Sequence, residues 1–566
     1  MLRSLAVPTL RSLLSKPDPV ADSATRKAGP QPAERLPVQR PLRVNPLAAD
    51  YAVLLLLCLL VLVLHNVRYL LSQPYWNDEA WVAVTTRFPL SRLPQLTSST
   101  PIGWSLLLRL ATIGRSQSGR LLPLAFAGIA VIPGYWLARR LDWQDRGTSI
   151  AAAVLAAASV LLVPAMLVRD DLKQYTADAC MTLVILATTA RLERRWSPRG
   201  LALLAVAIGA GMLVSDAAAF AGAAALAAVG LTQLARRNWR RLAEAAIAAA
   251  GTTAVGAAIY ESFDARAVVP GLTAYWQNYY LPVHGGPAGM LRFVTGQFDL
   301  IRGYFGLGPW WLAIPLVLAG LATIARFGRP ATALTAAALW PEMLALSALR
   351  KYPFLDLRTS TFLITSTAVV AAIGVAGLCA ALRARLGAVL RARQRDGSRL
   401  ATVAAALVAA TALAGFGLAA RPYVRSQLIP WEPIRQQAQY VARHAGPRDP
   451  IVVSANSNWG FAYYWPGGRP GSRPDPANLQ GYQAIFPAQP RIVVAAQRDA
   501  AGIRAAIASA LRLAPHGQCS RIWLVRTHVN AAELAAWRTV LAQLRLAPAS
   551  GGYGVAYIQL GPAGCR

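Results

Sequence analysis

Apolar residues run through this chain in long stretches, broken by short segments rich in arginine. Eleven stretches are long enough to cross a bilayer as helices: about 49–71, 119–138, 148–168, 174–191, 200–215, 217–235, 242–260, 309–326, 331–349, 359–382 and 400–420. Residues 101–114 are also apolar but too short for a comfortable span, so an amphipathic helix lying in the interface is expected there. Beyond 420 the pattern changes. Helical periodicity at 433–445, 500–513 and 531–546 alternates with strand-like runs at 451–454, 491–496, 521–526 and 553–560, which predicts a small α/β domain. Residues 1–46 carry no apolar periodicity and are rich in Arg, Pro, Ser and Ala, as a disordered cytoplasmic tail would be. They lack the short apolar core and cleavage site of a signal peptide. The predicted organisation is therefore a tail at 1–46, a multi-span domain at 47–420 and an extracytoplasmic α/β domain at 421–566.

Composition agrees with a polytopic membrane protein: 55% of residues are hydrophobic, 14% are charged and the mean hydropathy is +0.38. The net charge of +32, from 57 basic and 25 acidic residues, would suggest nucleic acid in a soluble protein. Here the arginines cluster in short loops: Arg139, Arg140 and Arg146; Arg191, Arg194, Arg195 and Arg199; Arg236, Arg237, Arg240 and Arg241; Arg326 and Arg329; and the group from Arg383 to Arg399. With a cytoplasmic N-terminus all of them fall on one side, which is the positive-inside pattern and excludes nucleic acid as the favoured partner. Membrane lipid headgroups are their expected neighbours. Heavy use of Arg and Ala with little Lys fits a bacterial, high-GC origin and a place in the cytoplasmic membrane. Cys58, Cys180 and Cys379 fall in or beside apolar runs, whereas Cys519 and Cys565 lie in the C-terminal segment and could pair if it is outside the cytoplasm.

The same assignment places the informative acids outside. Asp78 and Glu79 follow the first span in Tyr75-Trp76-Asn77-Asp78-Glu79-Ala80-Trp81. They serve either as the acidic first turn of an interfacial helix or as a base or cation ligand. The next outer loop reads Arg169-Asp170-Asp171-Leu172-Lys173-Gln174-Tyr175-Thr176-Ala177-Asp178. If a helix begins here, Asp171 and Asp178 share a face two turns apart, flanked by Lys173 and Tyr175, and could bind a divalent cation or an acceptor. A carboxylate entering a span calls for a function or a partner. The chain has four lysines against 53 arginines, and both lysines beyond the tail, Lys173 and Lys351, fall in outer loops. Arg350, Lys351 and Arg358 put three cations where the phosphate of a long-chain lipid phosphate would lie. Tyr275-Trp276-Gln277-Asn278-Tyr279-Tyr280 reads as an interfacial aromatic belt or as a stacking platform, and Asp216 as a cavity acid or a turn acid.

These motifs, in order, resemble the GT-C membrane glycosyltransferases of the protein O-mannosyltransferase and lipid A aminoarabinose transferase type. They are Trp76-Asn77-Asp78-Glu79-Ala80, Thr100-Pro101-Ile102-Gly103-Trp104, Gly119-Arg120-Leu121-Leu122-Pro123, Asp171-Leu172-Lys173-Gln174-Tyr175, and Tyr352-Pro353-Phe354 with Arg358. The resemblance covers roughly residues 50–420. It departs from the family at Thr100-Pro101, where two prolines are common, and at Asp171 and Lys173, where Glu and Arg are common. It implies an outer-face active site that uses a sugar on a polyprenyl phosphate. Asp78 would be the general base for an acceptor hydroxyl, with Glu79 supporting it or orienting the loop. Asp171 or Asp178 would hold Mg, Mn or Ca or the acceptor, and Lys173, Lys351 and Arg358 the donor phosphate. The acceptor is a glycan, a lipid or a protein, and the reaction is inverting. Two other readings stand beside it: a flippase for lipid-linked sugars, which would favour internal repeats and midplane charges, and a non-catalytic membrane scaffold presenting the C-terminal domain.

Overall fold

The computed structural model describes residues 46–96, 100–169, 171–267, 269–308, 310–392, 397–426, 431–475, 478, 480–515 and 518–561. Residues 51–566 form one compact unit. The expected N-terminal tail lies outside the described residues up to 45.

Each of the eleven apolar runs is a helix. The first is divided into Pro46–Leu64 and Val67–Ser72, because Asn66 caps the second piece by accepting from Tyr69 N–H at 3.2 Å. The others are Leu121–Arg139, Arg146–Leu162, Tyr175–Arg194, Pro198–Met212, Ala217–Ala235, Trp239–Ser262, Trp310–Arg326, Pro330–Ala348, Thr361–Ala392 and Gly397–Ala420. Five described helices are long and apolar enough, by length and composition, to cross a membrane. Among them Thr361–Val389 is central, 89% buried, whereas Trp239–Ser262 and Leu400–Ala420 are 11% buried and present their apolar faces outward. Small residues set the tightest crossing. A Cβ on Gly320 would stand 1.9 Å from the Val370 carbonyl oxygen, and one on Gly374 would stand 2.1 Å from that of Leu316. The Trp310–Arg326 and Thr361–Ala392 helices therefore meet backbone to backbone. Within 101–114 the structure has the short helix Ile102–Ala111.

The C-terminal region is an α/β fold. Its strands are β1 (Ile451–Val453), β2 (Gly471–Pro474), β3 (Tyr482–Ile485), β4 (Ile492–Val494), β5 (Ser520–Val525), β6 (Pro548–Ser550) and β7 (Ala556–Leu560). The main sheet runs β4-β1-β5-β7-β6, with β1 parallel to β4 and β5 and the remaining pairs antiparallel; β2 and β3 form a separate hairpin. Helices Ala500–Leu513 and Ala531–Gln543 cover one face through Ile503, Ile507, Trp537 and Val540. On the other side a second core joins the sheet to the loop after the first helix, with Trp81, Trp104, Ile434, Trp459, Phe461 and Trp523 among its members. Cys519 is disulfide-bonded; Cys565 lies outside the described residues.

Candidate functional site

The Asn77–Thr85 helix is the pivot. Successive residues on a helix point about 100° apart, so its two acids part company. Glu79 turns inward, with both oxygens on Arg120: one accepts from Nε at 2.8 Å and the other accepts from Nη2. Neither side chain is exposed to solvent. Arg120 also donates to the carbonyls of Leu70 (2.5 Å), Gln73 (2.9 Å) and Pro74 (3.1 Å), and its guanidinium lies 4.9 Å from the Tyr75 ring centre. Two parallel N–H···O contacts make this the fork-to-fork geometry of a charge-assisted pair. Glu79 additionally accepts from Trp76 N–H at 3.3 Å, tying down the helix start. It has no oxygen left for chemistry. Its geometry is that of the loop-orienting role.

Asp78 points the other way. It accepts from Arg358 Nη1 at 2.9 Å, and its second oxygen accepts no hydrogen bond among the described residues. Arg358 is fixed from several sides. Its Nη2 donates to Tyr275 Oη at 2.6 Å, and its guanidinium lies 5.9 Å and 5.7 Å from the ring centres of Tyr275 and Trp276. The Asp356 carboxylate accepts from the backbone N–H groups of Arg358 (3.1 Å) and Thr359 (3.0 Å), shaping the turn that presents the guanidinium. Trp81 lies three residues after Asp78 on the same helical face. Lys173 Nζ sits 4.5 Å above its indole, which draws the ammonium to the same cleft. Burial lowers the Lys173 pKa; Asp78, Asp171 and Asp356 pull it up, and Arg358 pushes it down. The loop bearing Lys173 is pinned by Trp104 of the short Ile102–Ala111 helix, whose Nε1 donates to the Leu172 carbonyl at 2.8 Å.

Three of the expected residues, Asp78, Lys173 and Arg358, thus converge, and Tyr175 stands beside them as a buried neighbour of Arg358 and Arg169. The acid pair behaves differently from expectation. The helix begins at Tyr175, so Asp171 precedes it and does not share a face with Asp178. Asp171 faces Arg169 at 3.8 Å, while Asp178 accepts from Ser215 Oγ (2.8 Å) and Ala217 N–H (3.3 Å), joining two helices. Asp216, pushed up to about 6 by burial, accepts from Gln174 Nε2 at 2.6 Å. Among the described residues no group of three or more His, Cys, Asp or Glu side chains is set to hold a metal ion. Arg169 faces Asp171 and helix hydrogen bonds hold one oxygen of Asp178, while Asp171 Oδ1 and Asp178 Oδ2 are buried without a hydrogen-bond partner among the described residues. Arg350 and Lys351 are exposed, and among the described residues no ion pair or side-chain hydrogen bond joins either to the cluster. Arg350 and Leu355 both have left-handed backbone (φ +55° and +56°), which turns the chain between Lys351 and Arg358.

Sequence reasoning did not foresee the part taken by the C-terminal domain. Glu432 accepts from Asn77 N–H at 3.1 Å and pairs with His528 Nδ1 at 2.5 Å. His528 lies in the loop after β5, its ring 6.3 Å from that of Trp76. The hydrogen bond to Glu432 raises its pKa; burial opposes this, and the charges of Glu432 and Asp78 add to it. Tyr464, from the buried Asn458–Tyr464 helix, accepts from Tyr75 N–H and from Gln117 Nε2, both at 2.8 Å. The domain therefore grips both ends of the segment that carries Asp78.

No protein-family model and no curated protein matches this chain. Solved structures do. ArnT from Cupriavidus metallidurans bound to undecaprenyl phosphate is 14% identical with a TM-score of 0.49, covering 91% of this chain and 97% of that one. The Archaeoglobus fulgidus oligosaccharyltransferase complex with Zn and sulfate is 15% identical with a TM-score of 0.48, covering 83% and 67%. Archaeal AglB with an inhibitory peptide and a dolichol-phosphate is 14% identical with a TM-score of 0.48, covering 84% and 69%.

Proposed function

We propose that this protein is an integral membrane glycosyltransferase that moves a sugar from a polyprenyl-phosphate donor to a hydroxyl-bearing acceptor at the extracytoplasmic face of the cytoplasmic membrane, with inversion. The observation that carries the reading is the ion pair between Asp78 and Arg358 at 2.9 Å, with Lys173 held over Trp81 beside it. A carboxylate with one uncommitted oxygen is a general base. Two cations next to it, one with a planar donor fork, are a phosphate cradle.

In this mechanism the donor phosphate takes Arg358 from Asp78 and is flanked by Lys173. Freed from its partner, Asp78 accepts the proton of the acceptor hydroxyl as the hydroxyl oxygen attacks the anomeric carbon. The bond between that carbon and the phosphate oxygen breaks, and its electron pair stays on the polyprenyl phosphate. Arg358 and Lys173 stabilise the charge that develops there, so the leaving group needs no proton. The Tyr275 and Trp276 rings, stacked around Arg358, flank the place where the sugar would sit. No step passes through a metal ion.

The test is Asp78→Asn in membranes supplied with polyprenyl-phosphate sugars and with envelope acceptors from cells lacking the protein. Transfer is expected to fall by about 10²–10⁴-fold with the protein still inserted and folded. Transfer at the wild-type rate would remove Asp78 from the mechanism.

A further inference from the structure

At the opposite ends of the helices that carry the site lies a second, differently built cavity. The Leu121–Arg139 helix starts beside Glu79 and runs 19 residues, roughly 28 Å. Where it ends, a groove of about 770 Å³ opens among Arg140, Arg191, Arg194, Arg195 and Arg199. Its inner wall is apolar and made of small side chains, Ala187 and Ala190, with Leu203 and the Trp136 indole. Arg140 stacks on that indole with 4.7 Å from guanidinium to ring centre.

Among the described residues the charge in this groove is not balanced from within. Asp142 is shared between Arg194 at 3.4 Å and Arg329 at 3.0 Å. Glu193 spends both oxygens on the start of the Pro330–Ala348 helix, accepting from Ala331 N–H (2.7 Å), Thr332 N–H (2.9 Å) and Thr332 Oγ1 (2.7 Å). Glu244 accepts from Trp196 Nε1 at 2.9 Å and from Arg240 at 3.2 Å. Burial, and after it the charges of Arg191 and Arg194, lower the Arg140 pKa, with Tyr51 opposing. Among the described residues, Arg194 alone of the five groove arginines is ion-paired with a carboxylate.

We propose that this groove binds an anionic phospholipid whose headgroup carries two phosphates, with the arginines on the phosphates and an acyl chain along the Ala187, Ala190 and Leu203 wall. Guanidinium forks match phosphate oxygens two at a time, so a single phosphate would leave most of the rim unpaired. A soluble anion would answer the rim but leave the apolar wall against water, whereas a lipid answers both. The site is independent of the transfer reaction.

The experiment is native mass spectrometry and titration of the full chain in nanodiscs. The probes are diphosphatidylglycerol, phosphatidylglycerol, phosphatidylcholine and inorganic pyrophosphate. Diphosphatidylglycerol should bind most tightly, and pyrophosphate at millimolar concentration should fail to displace it. In the Arg191→Gln/Arg194→Gln/Arg199→Gln variant its affinity should fall on the order of a hundredfold, at roughly fivefold per arginine. The exposed single change Arg199→Gln should show the fivefold step should the triple variant fail to fold. Equal binding of phosphatidylcholine or phosphatidylglycerol, unchanged affinity in Arg199→Gln, or full displacement by pyrophosphate would each overturn the proposal.

Discussion

Glu79→Gln is the sharpest test of how the site is held. Glu79 and Arg120 are both fully buried, and the guanidinium reaches five acceptors: two carboxylate oxygens and the carbonyls of Leu70, Gln73 and Pro74. Removing one partner of a buried pair costs about 3–5 kcal/mol. The three carbonyls keep Arg120 partly solvated, which places Glu79→Gln near the low end, about 3 kcal/mol. That corresponds to an increase of roughly a hundredfold in local opening. Arg120→Met should cost more, because it orphans those three carbonyls as well as the carboxylate. The double change should cost less than the sum of the two. Hydrogen exchange of peptides covering 67–85, in detergent or nanodiscs, reads the opening directly. Exchange within about twofold of wild type in Glu79→Gln, or a milder effect in Arg120→Met than in Glu79→Gln, would refute the reasoning. Asp78→Asn supplies the contrast: its exchange pattern over the same peptides should stay close to wild type, because Asp78 faces the cleft.

Arg358→Lys keeps the charge but loses the fork and the stacking on Tyr275 and Trp276; polyprenyl-phosphate affinity, followed by tryptophan fluorescence, should weaken by about tenfold or more. Lys173→Met should weaken the same binding and reduce its salt dependence, and an unchanged salt dependence would take Lys173 out of the phosphate cradle. His528 sets a pH window for docking of the C-terminal domain. Its folded pKa is raised above the ordinary value of 6.5, so the stabilisation is full below about 6.5 and is lost as pH rises through the folded value. Limited proteolysis between strands β1 and β5 should therefore quicken from pH 6 to pH 9 in the wild type, and the His528→Gln variant should lose that pH dependence.

The helical part of the fold was legible because an apolar run is its own signal, and each of the eleven runs is a helix. Boundaries failed where the signal stopped before the helix did. The 359–382 run is the helix Thr361–Ala392, whose last turns carry Arg383 and Arg385 and so interrupt the continuous apolar run that marks a span. In the C-terminal region the strands flanked by helices could be read, but the β2–β3 hairpin could not. Gly471-Ser472-Arg473-Pro474 has no apolar alternation, and its pairing with β3 is set by tertiary contact. The Asn458–Tyr464 helix was also missed: it is seven residues long and buried on every side, so it has no polar face to give it a period.

The site divides along the same physical line. Asp78, Lys173 and Arg358 stood out because each is a charge at the end of an apolar run, where a charge needs a reason. Arg120 satisfies the same description yet reads as an ordinary interfacial arginine, since nothing local shows that three carbonyls and a carboxylate surround it. Lys351 was grouped with Arg358 through nearness in sequence, but the turn capped by Asp356 sends them apart. Glu432 and His528 could not be read at all, lying 355 and 450 residues beyond Asn77 and Asp78 respectively. The adjacent acids show why composition and motif alone stop short. Asp78 and Glu79 are equivalent as letters, but the helix that contains them separates their side chains by about 100°. One meets Arg120 in the dry interior and the other meets Arg358 in the cleft. That angle, and not any difference in their intrinsic chemistry, makes one acid a strut and leaves the other with an oxygen that accepts no hydrogen bond among the described residues.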